Sequence, residues 1–87
     1  MHPVTDREKL RIKELVERYL VPHQPSNYRL EVVLDAIEQD DDWYYVVVRP
    51  SRDDVRSYDY NARIVEAELD LQESEETKVL LVPALPD

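Results

Sequence analysis

The residues best suited to chemistry form a group of arginines and tyrosines in the second half of the chain. Guanidinium groups bind carboxylates and phosphates through paired hydrogen bonds, and tyrosines add stacking surfaces or hydroxyl donors. A binding module or an enzyme for an anionic small molecule would use such a group. The competing interpretation is that Asp53, Asp54 and Asp59 neutralise the arginines locally. The arginine group, as it is called below, consists of Arg49, Arg52, Arg56, Tyr58 and Tyr60.

Acidic side chains offer a second kind of chemistry. The run from Asp40 to Asp42 presents clustered oxygens of the kind that Ca²⁺ and Mg²⁺ prefer, but the glycine and final glutamate of a calcium-binding loop are missing. The run is therefore interpreted as a solvated turn. His2 and His23 lack the spacing of a metal site or a catalytic triad. Glu31, Asp35, Glu66 and Glu68 could supply acid-base pairs, but a chain this acidic contains such pairs by chance. We therefore predict no catalytic residue, metal or cofactor.

Two residue types are missing altogether. The chain has 87 residues and contains neither glycine nor cysteine. Without glycine, the Gly-rich loops that bind phosphates and dinucleotides are excluded. Without cysteine, thiol catalysis, Cys-ligated metals and disulfide bonds are excluded, and a cytoplasmic location is expected.

The charge of the chain is negative and uneven. The net charge is −9, and because residues 1–26 contain five basic and four acidic side chains, a net of +1, the rest carries −10. Direct nucleic-acid binding is disfavoured, since it requires basic groups that neutralise phosphates. An acidic surface between Glu66 and Glu76 that imitates nucleic acid and binds a basic protein is a lesser alternative. No apolar run approaches the ~18 residues of a membrane span, so no membrane partner is expected.

Two segments have the periodicity of helices. Thr5 and Glu8 have the spacing of a capping box, which predicts a helix that begins after Thr5 and ends before Pro22. A second helix is predicted from about Tyr58 to Glu73. Their apolar stripes are formed by Ile12, Leu15, Val16, Tyr19 and Leu20, and by Tyr60, Ile64, Ala67 and Leu71.

Three segments resemble strands. Alternation from Tyr28 to Ile37 favours a strand over the rival helix through Leu30, Val33, Leu34 and Ile37. The aromatic and β-branched run from Trp43 to Val48 predicts a second strand that forms a hairpin with the first. The run from Val79 to Val82 predicts a third strand covered on both faces.

The predicted fold class is α+β, in the order α-β-β-α-β. A hairpin plus a crossover strand would form a three-stranded mixed sheet packed with two helices, with the third strand beside the first, in the order 2-1-3. Residues 1–87 are expected to form one small domain, in which 1–4 are frayed and 83–87 form a C-terminal tail.

The predicted sheet has two apolar faces and only two helices to cover them. Either each helix covers one face, or both cover the same face and leave a band bare. Monomers rarely expose a large apolar patch, so a second copy or another protein would cover this band. We therefore expect a non-catalytic interaction or self-association domain, most simply a homodimer. The candidate interface residues are Val33, Ile37, Trp43, Tyr45 and Val47.

Overall fold

The computed structural model describes residues 4–52, 54–75 and 78–84. These residues have the predicted α+β architecture, with two helices and a mixed sheet. The helices and strands are α1 (Asp6–Leu20), β1 (Leu30–Val32), β2 (Glu38–Asp40), β3 (Trp43–Pro50), α2 (Ser57–Glu75) and β4 (Val79–Pro83).

Local signals define the ends of α1. The Thr5 hydroxyl accepts a hydrogen bond from the backbone N–H of Glu8 at 3.2 Å, so the predicted N-cap is confirmed. The helix ends at Leu20, and a 3₁₀ turn that contains Pro22 follows it. This is the expected effect of a proline, which cannot donate to the preceding turn.

The sheet is built around β3. β1 and β2 lie end to end along one edge of β3 and pair with it antiparallel, whereas β4 pairs with the other edge in parallel. The predicted order 2-1-3 is therefore wrong, because the last strand lies beside the second predicted strand. The physical reason is that the first predicted strand is interrupted at Leu34–Ala36, whereas β3 offers an unbroken edge of eight residues.

The 3₁₀ turn at Leu34–Ala36 also changes which residues of this segment point towards the core. Leu30 and Val32 are buried before the 3₁₀ turn, but Ile37 is the buried residue after it. Val32 lies opposite Val48, and Glu38 lies opposite Tyr45. The segment that joins β1 to β2 therefore contains three residues more than the part of β3 that it faces. An odd insertion exchanges the two faces of a strand, and a single continuous alternation was therefore the wrong prediction.

The hairpin turn lies at the position predicted from the sequence. Asp40 lies opposite Trp43, which leaves Asp41 and Asp42 to make the connection. Asp41 has φ of 58°, the one positive value among non-glycine residues in the described part of the chain. Aspartate tolerates this region better than most residues, so it takes the place that glycine would have in other chains.

Both helices pack on the same face of the sheet. Val46 and Val48 of β3 and Val79 of β4 are fully or almost fully buried in one cluster with the apolar stripes of α1 and α2. The sheet is therefore covered on one side, and the prediction that the last strand is covered on both faces is wrong. Val82 on the other side is 39% exposed.

The core extends further towards the ends of the chain than expected. Val4, predicted to be frayed, is buried in the core. Pro83 belongs to β4, and the N–H of Ala84 donates to the carbonyl of Val48 at 2.9 Å, so neither residue belongs to a tail. Residues 1–3 and 85–87 lie outside the described residues. No described helix combines the length and the apolarity that crossing a membrane requires.

Candidate interaction surface

The face of the sheet that turns away from both helices carries an apolar band. Trp43, Tyr45 and Val47 alternate with the buried residues of β3 and are only half-buried. Leu80 and Val82 of β4 lie beside Tyr45 and Val47 in register, and therefore on the same face. We call this surface the open face, because no element in residues 4–52, 54–75 and 78–84 is packed on it.

Charges of opposite sign lie at the two ends of the open face. Glu38 and Asp40 of β2 flank the start of β3. Arg49 lies at the far end, where its Nε is 3.8 Å from Oε2 of Glu31. Arg29 continues the same ladder and shares the face of Glu31 by alternation. Lys78 precedes β4 and shares the face of Leu80 by alternation, so it lies at the end of Glu38 and Asp40. Two carboxylates and one lysine thus make one end of the open face net acidic, and two arginines and one glutamate make the other end net basic.

The outer edge of β4 is capped by side chains of α2. The carbonyl of Lys78 and the N–H of Ala84 form hydrogen bonds with the backbone of β3. By alternation, the N–H and carbonyl groups of Val79 and Leu81 therefore point away from β3. Glu68 accepts the N–H of Leu81 at 2.8 Å, and Gln72 donates to the carbonyl of Val79 at 2.9 Å. A neighbouring strand would have to displace both side chains in order to pair here.

The opposite edge of the sheet is closed in a similar way. The amide of Gln24 accepts the N–H of Leu30 at 2.8 Å and donates to the carbonyl of Leu30 at 3.1 Å. Gln24 therefore occupies the position of a further strand beside β1. The 3₁₀ turn at Leu34–Ala36 then interrupts this edge, and beyond it β2 is only three residues long. Both devices oppose the addition of another strand, so the open face is better suited to association than either edge.

The structure separates the predicted interface residues into two groups. Trp43, Tyr45 and Val47 lie on the open face, and the N–H of Val33 donates to the carbonyl of Val47 beside them. Ile37 does not belong with them, because it is 2% exposed and lies in the core. Its inclusion was wrong because the 3₁₀ turn shifts the alternation by one residue, so that Ile37 points into the core. The use of the other four as an interface stays a prediction.

The tyrosines of the arginine group lie in different environments. Tyr60 is fully buried, and its hydroxyl donates to the carbonyl of Ala84 at 2.7 Å. It was wrongly assigned to a ligand site, since no ligand can reach it without opening the core. Tyr58 is 70% exposed at the start of α2.

The arginines of the arginine group lie on the surface. Arg52 forms two hydrogen bonds with Asp54, from Nε at 3.0 Å and from Nη2 at 2.6 Å. Local neutralisation by aspartate is therefore confirmed for this arginine, whereas Asp53 lies outside the described residues. Arg49 approaches Glu31, and Arg56 is exposed just before α2. A role in ligand binding stays a prediction for these arginines.

His23 has partners that the sequence analysis missed. Its Nδ1 lies 3.2 Å from Oε2 of Glu66, and its Nε2 lies 2.9 Å from Oδ2 of Asp70. Arg63 donates to the backbone carbonyl of His23 at 3.1 Å. Both ring nitrogens of His23 therefore lie within hydrogen-bond distance of a carboxylate oxygen. This cluster joins the turn after α1 to α2. The four-residue spacing of Glu66 and Asp70 was visible in the sequence, but the position of His23 opposite them was not.

Several other acids form contacts within the described part of the fold. Within the part of the chain that the structure describes, no group of three or more histidines, aspartates and glutamates is arranged to hold a metal ion. Asp42 lies 3.4 Å from the amine of Lys78, and Glu31 lies beside Arg49. Glu68 accepts the backbone N–H of Leu81 at the edge of β4. These contacts are structural.

The hydroxyl of Tyr28 has a raised pKa. Desolvation by its surroundings raises the pKa of the Tyr28 hydroxyl above 10.0, and the negative charge of Asp59 raises it further. Arg63 acts in the opposite direction but does not cancel these effects. The hydroxyl is protonated at physiological pH in any case, and the raised pKa extends this range to more alkaline solution while Tyr28 packs against the core.

No protein-family model matches this chain, and no curated protein or solved structure matches it. The function proposed below therefore depends on the geometry of the surface.

Proposed function

We propose that this domain is a protein-interaction module that associates with a second copy of itself through the open face. The observation that carries the proposal is the apolar band of Trp43, Tyr45 and Val47, extended by Leu80 and Val82, on the side of the sheet opposite both helices. Contiguous apolar surface of this kind marks interaction sites on soluble domains. Tryptophan and tyrosine also contribute most to interface energies when a partner desolvates them.

Face-to-face packing suits this sheet better than pairing through its edges. Gln24 caps one edge, and Glu68 and Gln72 cap the other. Two sheets that pack face to face lie about 10 Å apart and interdigitate the side chains of their inner faces. A dimer of this kind would bury the apolar band in a second core and leave the capped edges undisturbed.

The charges at the two ends favour a second copy over an unrelated apolar partner. If the two β3 strands run antiparallel across a two-fold axis, Arg49 and Arg29 of one copy approach Glu38 and Asp40 of the other. If they run parallel, like charges meet at both ends. The open face is thus complementary to itself in one orientation, as an isologous interface must be.

The proposal predicts a dimer that one substitution on the open face abolishes. We expect light scattering on a dilution series to give the mass of a dimer at high concentration. Val47→Asp should give a monomer at all concentrations, because it places a carboxylate in the centre of the band without a partner.

A matched control separates the interface from the added charge. Val21 is 67% exposed in the turn after α1, and Val21→Asp adds the same charge on the helical side. This variant should still dimerise, and circular dichroism should show that both variants keep the wild-type helix content. A wild-type protein that stays monomeric at all concentrations would refute the proposal, and so would a folded Val47→Asp variant that still dimerises.

A further inference from the structure

Helix α2 carries a second apolar stripe, on the side that faces solvent. Its first apolar stripe, which includes Tyr60 and Ile64, is buried in the core. On the other side, Tyr58, Val65 and Leu69 are exposed to 70%, 46% and 51%. Surface helices normally place polar residues there, so this exposure is not explained by the packing of the domain.

The spacing of this stripe matches a helix-docking surface. Tyr58, Ala62, Val65 and Leu69 are separated by four, three and four residues, so they lie along one side of the helix. The same spacing defines the apolar seam of a coiled coil, in which a second helix packs along the first. We call these residues the outer stripe of α2.

Acidic residues accompany the outer stripe at the matching positions. Asp59, Glu66 and Glu73 follow one another at intervals of seven residues along one flank of the stripe. Glu66 also approaches His23, while all three carboxylates remain on exposed residues. In coiled coils, charges that flank the seam select the partner, and acids select bases. Two copies of α2 paired along this stripe would bring acidic flanks together, so the chemistry favours a basic partner.

We propose that the outer stripe of α2, with Asp59, Glu66 and Glu73, binds a basic amphipathic helix of another protein. The apolar residues of that helix pack on Val65 and Leu69, and its lysines or arginines face the acidic flank. This surface is separate from the open face, because α2 lies on the opposite side of the sheet. One domain can therefore hold a second copy and a helical partner at the same time.

The test uses a labelled synthetic helix of about three heptads, with leucine at the seam positions and lysine at the flanking positions. A second peptide has the same composition in an order that breaks the seam. Fluorescence anisotropy on the whole protein should show that the seam peptide binds at least about tenfold more tightly than the reordered one. Binding should weaken at high salt.

Three variants assign the binding to the outer stripe. Leu69→Ser and Glu73→Lys should each weaken the binding of the seam peptide about tenfold or more. Leu10→Ser is the matched control, because Leu10 is an equally exposed leucine on α1, and it should bind like the wild type. Circular dichroism should show unchanged helix content in all three.

The contrary results are equally specific. Equal affinity for the two peptides would show general attraction to an acidic protein and would overturn the proposal. Wild-type affinity in a folded Leu69→Ser variant would overturn it as well. Val47→Asp should keep the affinity for the peptide, so this proposal and that of the open-face dimer can fail separately.

Discussion

Tyrosine hydroxyls serve different purposes in this domain, according to where each one lies. The hydroxyl of Tyr60 is inside the core and donates to the carbonyl of Ala84, which satisfies a polar atom that would otherwise be costly to bury. Tyr19 donates to a carboxylate oxygen of Glu75 at 3.0 Å and so links the two helices. Tyr28 is half-buried, and its contribution depends on pH.

Tyr28 should make stability sensitive to alkaline pH. Its pKa is raised in the folded state, chiefly by desolvation, and has its ordinary value of about 10.0 in the unfolded chain. Below that value both states keep the proton, so its contribution to stability is complete. Above it the unfolded state ionises first, and the contribution is lost as pH rises through the folded pKa.

The measurement is the free energy of unfolding in urea at several pH values from neutral to above 10. We expect a fall in the alkaline range that is smaller in Tyr28→Phe than in the wild type, because phenylalanine has no proton to lose. Parallel curves for the two proteins would contradict the assignment to Tyr28.

At the scale of elements, α2 both covers the sheet and closes its edge. Glu68 and Gln72 are four residues apart, which places both over the edge of β4. Pro83 adds a position without an N–H to donate. The crossover helix therefore protects the strand that follows it in sequence. Natural sheets need such protection, because a free edge invites pairing with other chains.

Removal of the Glu68 cap should destabilise the domain. Glu68→Ala leaves the N–H of the buried Leu81 without an acceptor, which costs about 1–3 kcal/mol. Glu68→Gln keeps an acceptor oxygen of similar reach and should lose less. Urea unfolding of the two variants measures the difference. Equal losses in both would show that the charge of Glu68, and not the hydrogen bond to Leu81, is what matters.

At the scale of the whole molecule, the distribution of charge on the open face bears on how two copies would be oriented. Arg49→Glu should weaken the proposed dimer at least about tenfold, since it places like charges opposite each other. Glu38→Arg in the same chain should restore most of the affinity. Arg18→Glu changes the net charge equally on exposed surface of α1 and should have little effect.

Sedimentation equilibrium of these variants measures the dimer dissociation constant. Restoration by the double change would support the antiparallel orientation of the two β3 strands. An equal effect of Arg49→Glu and Arg18→Glu would show that net charge alone is responsible. It would count against that orientation.

The elements that depend on neighbouring residues could be predicted from the sequence. The hydroxyl of Thr5 caps α1, Pro22 follows its end, and Asp41 and Asp42 form the hairpin turn, because each effect acts over a few residues. The buried stripe of α2 is equally local, since it follows from the period of the helix. The α+β class follows from the order of these elements.

The tertiary structure decided what depends on distant residues. It placed β4 beside β3, both helices on one face, and Ile37 in the core, since a 3₁₀ turn in the edge chain reversed the alternation there. It also brought His23 to carboxylates more than forty residues away. Period and spacing describe one segment at a time, whereas these features depend on which segments share the limited apolar surface of a small core.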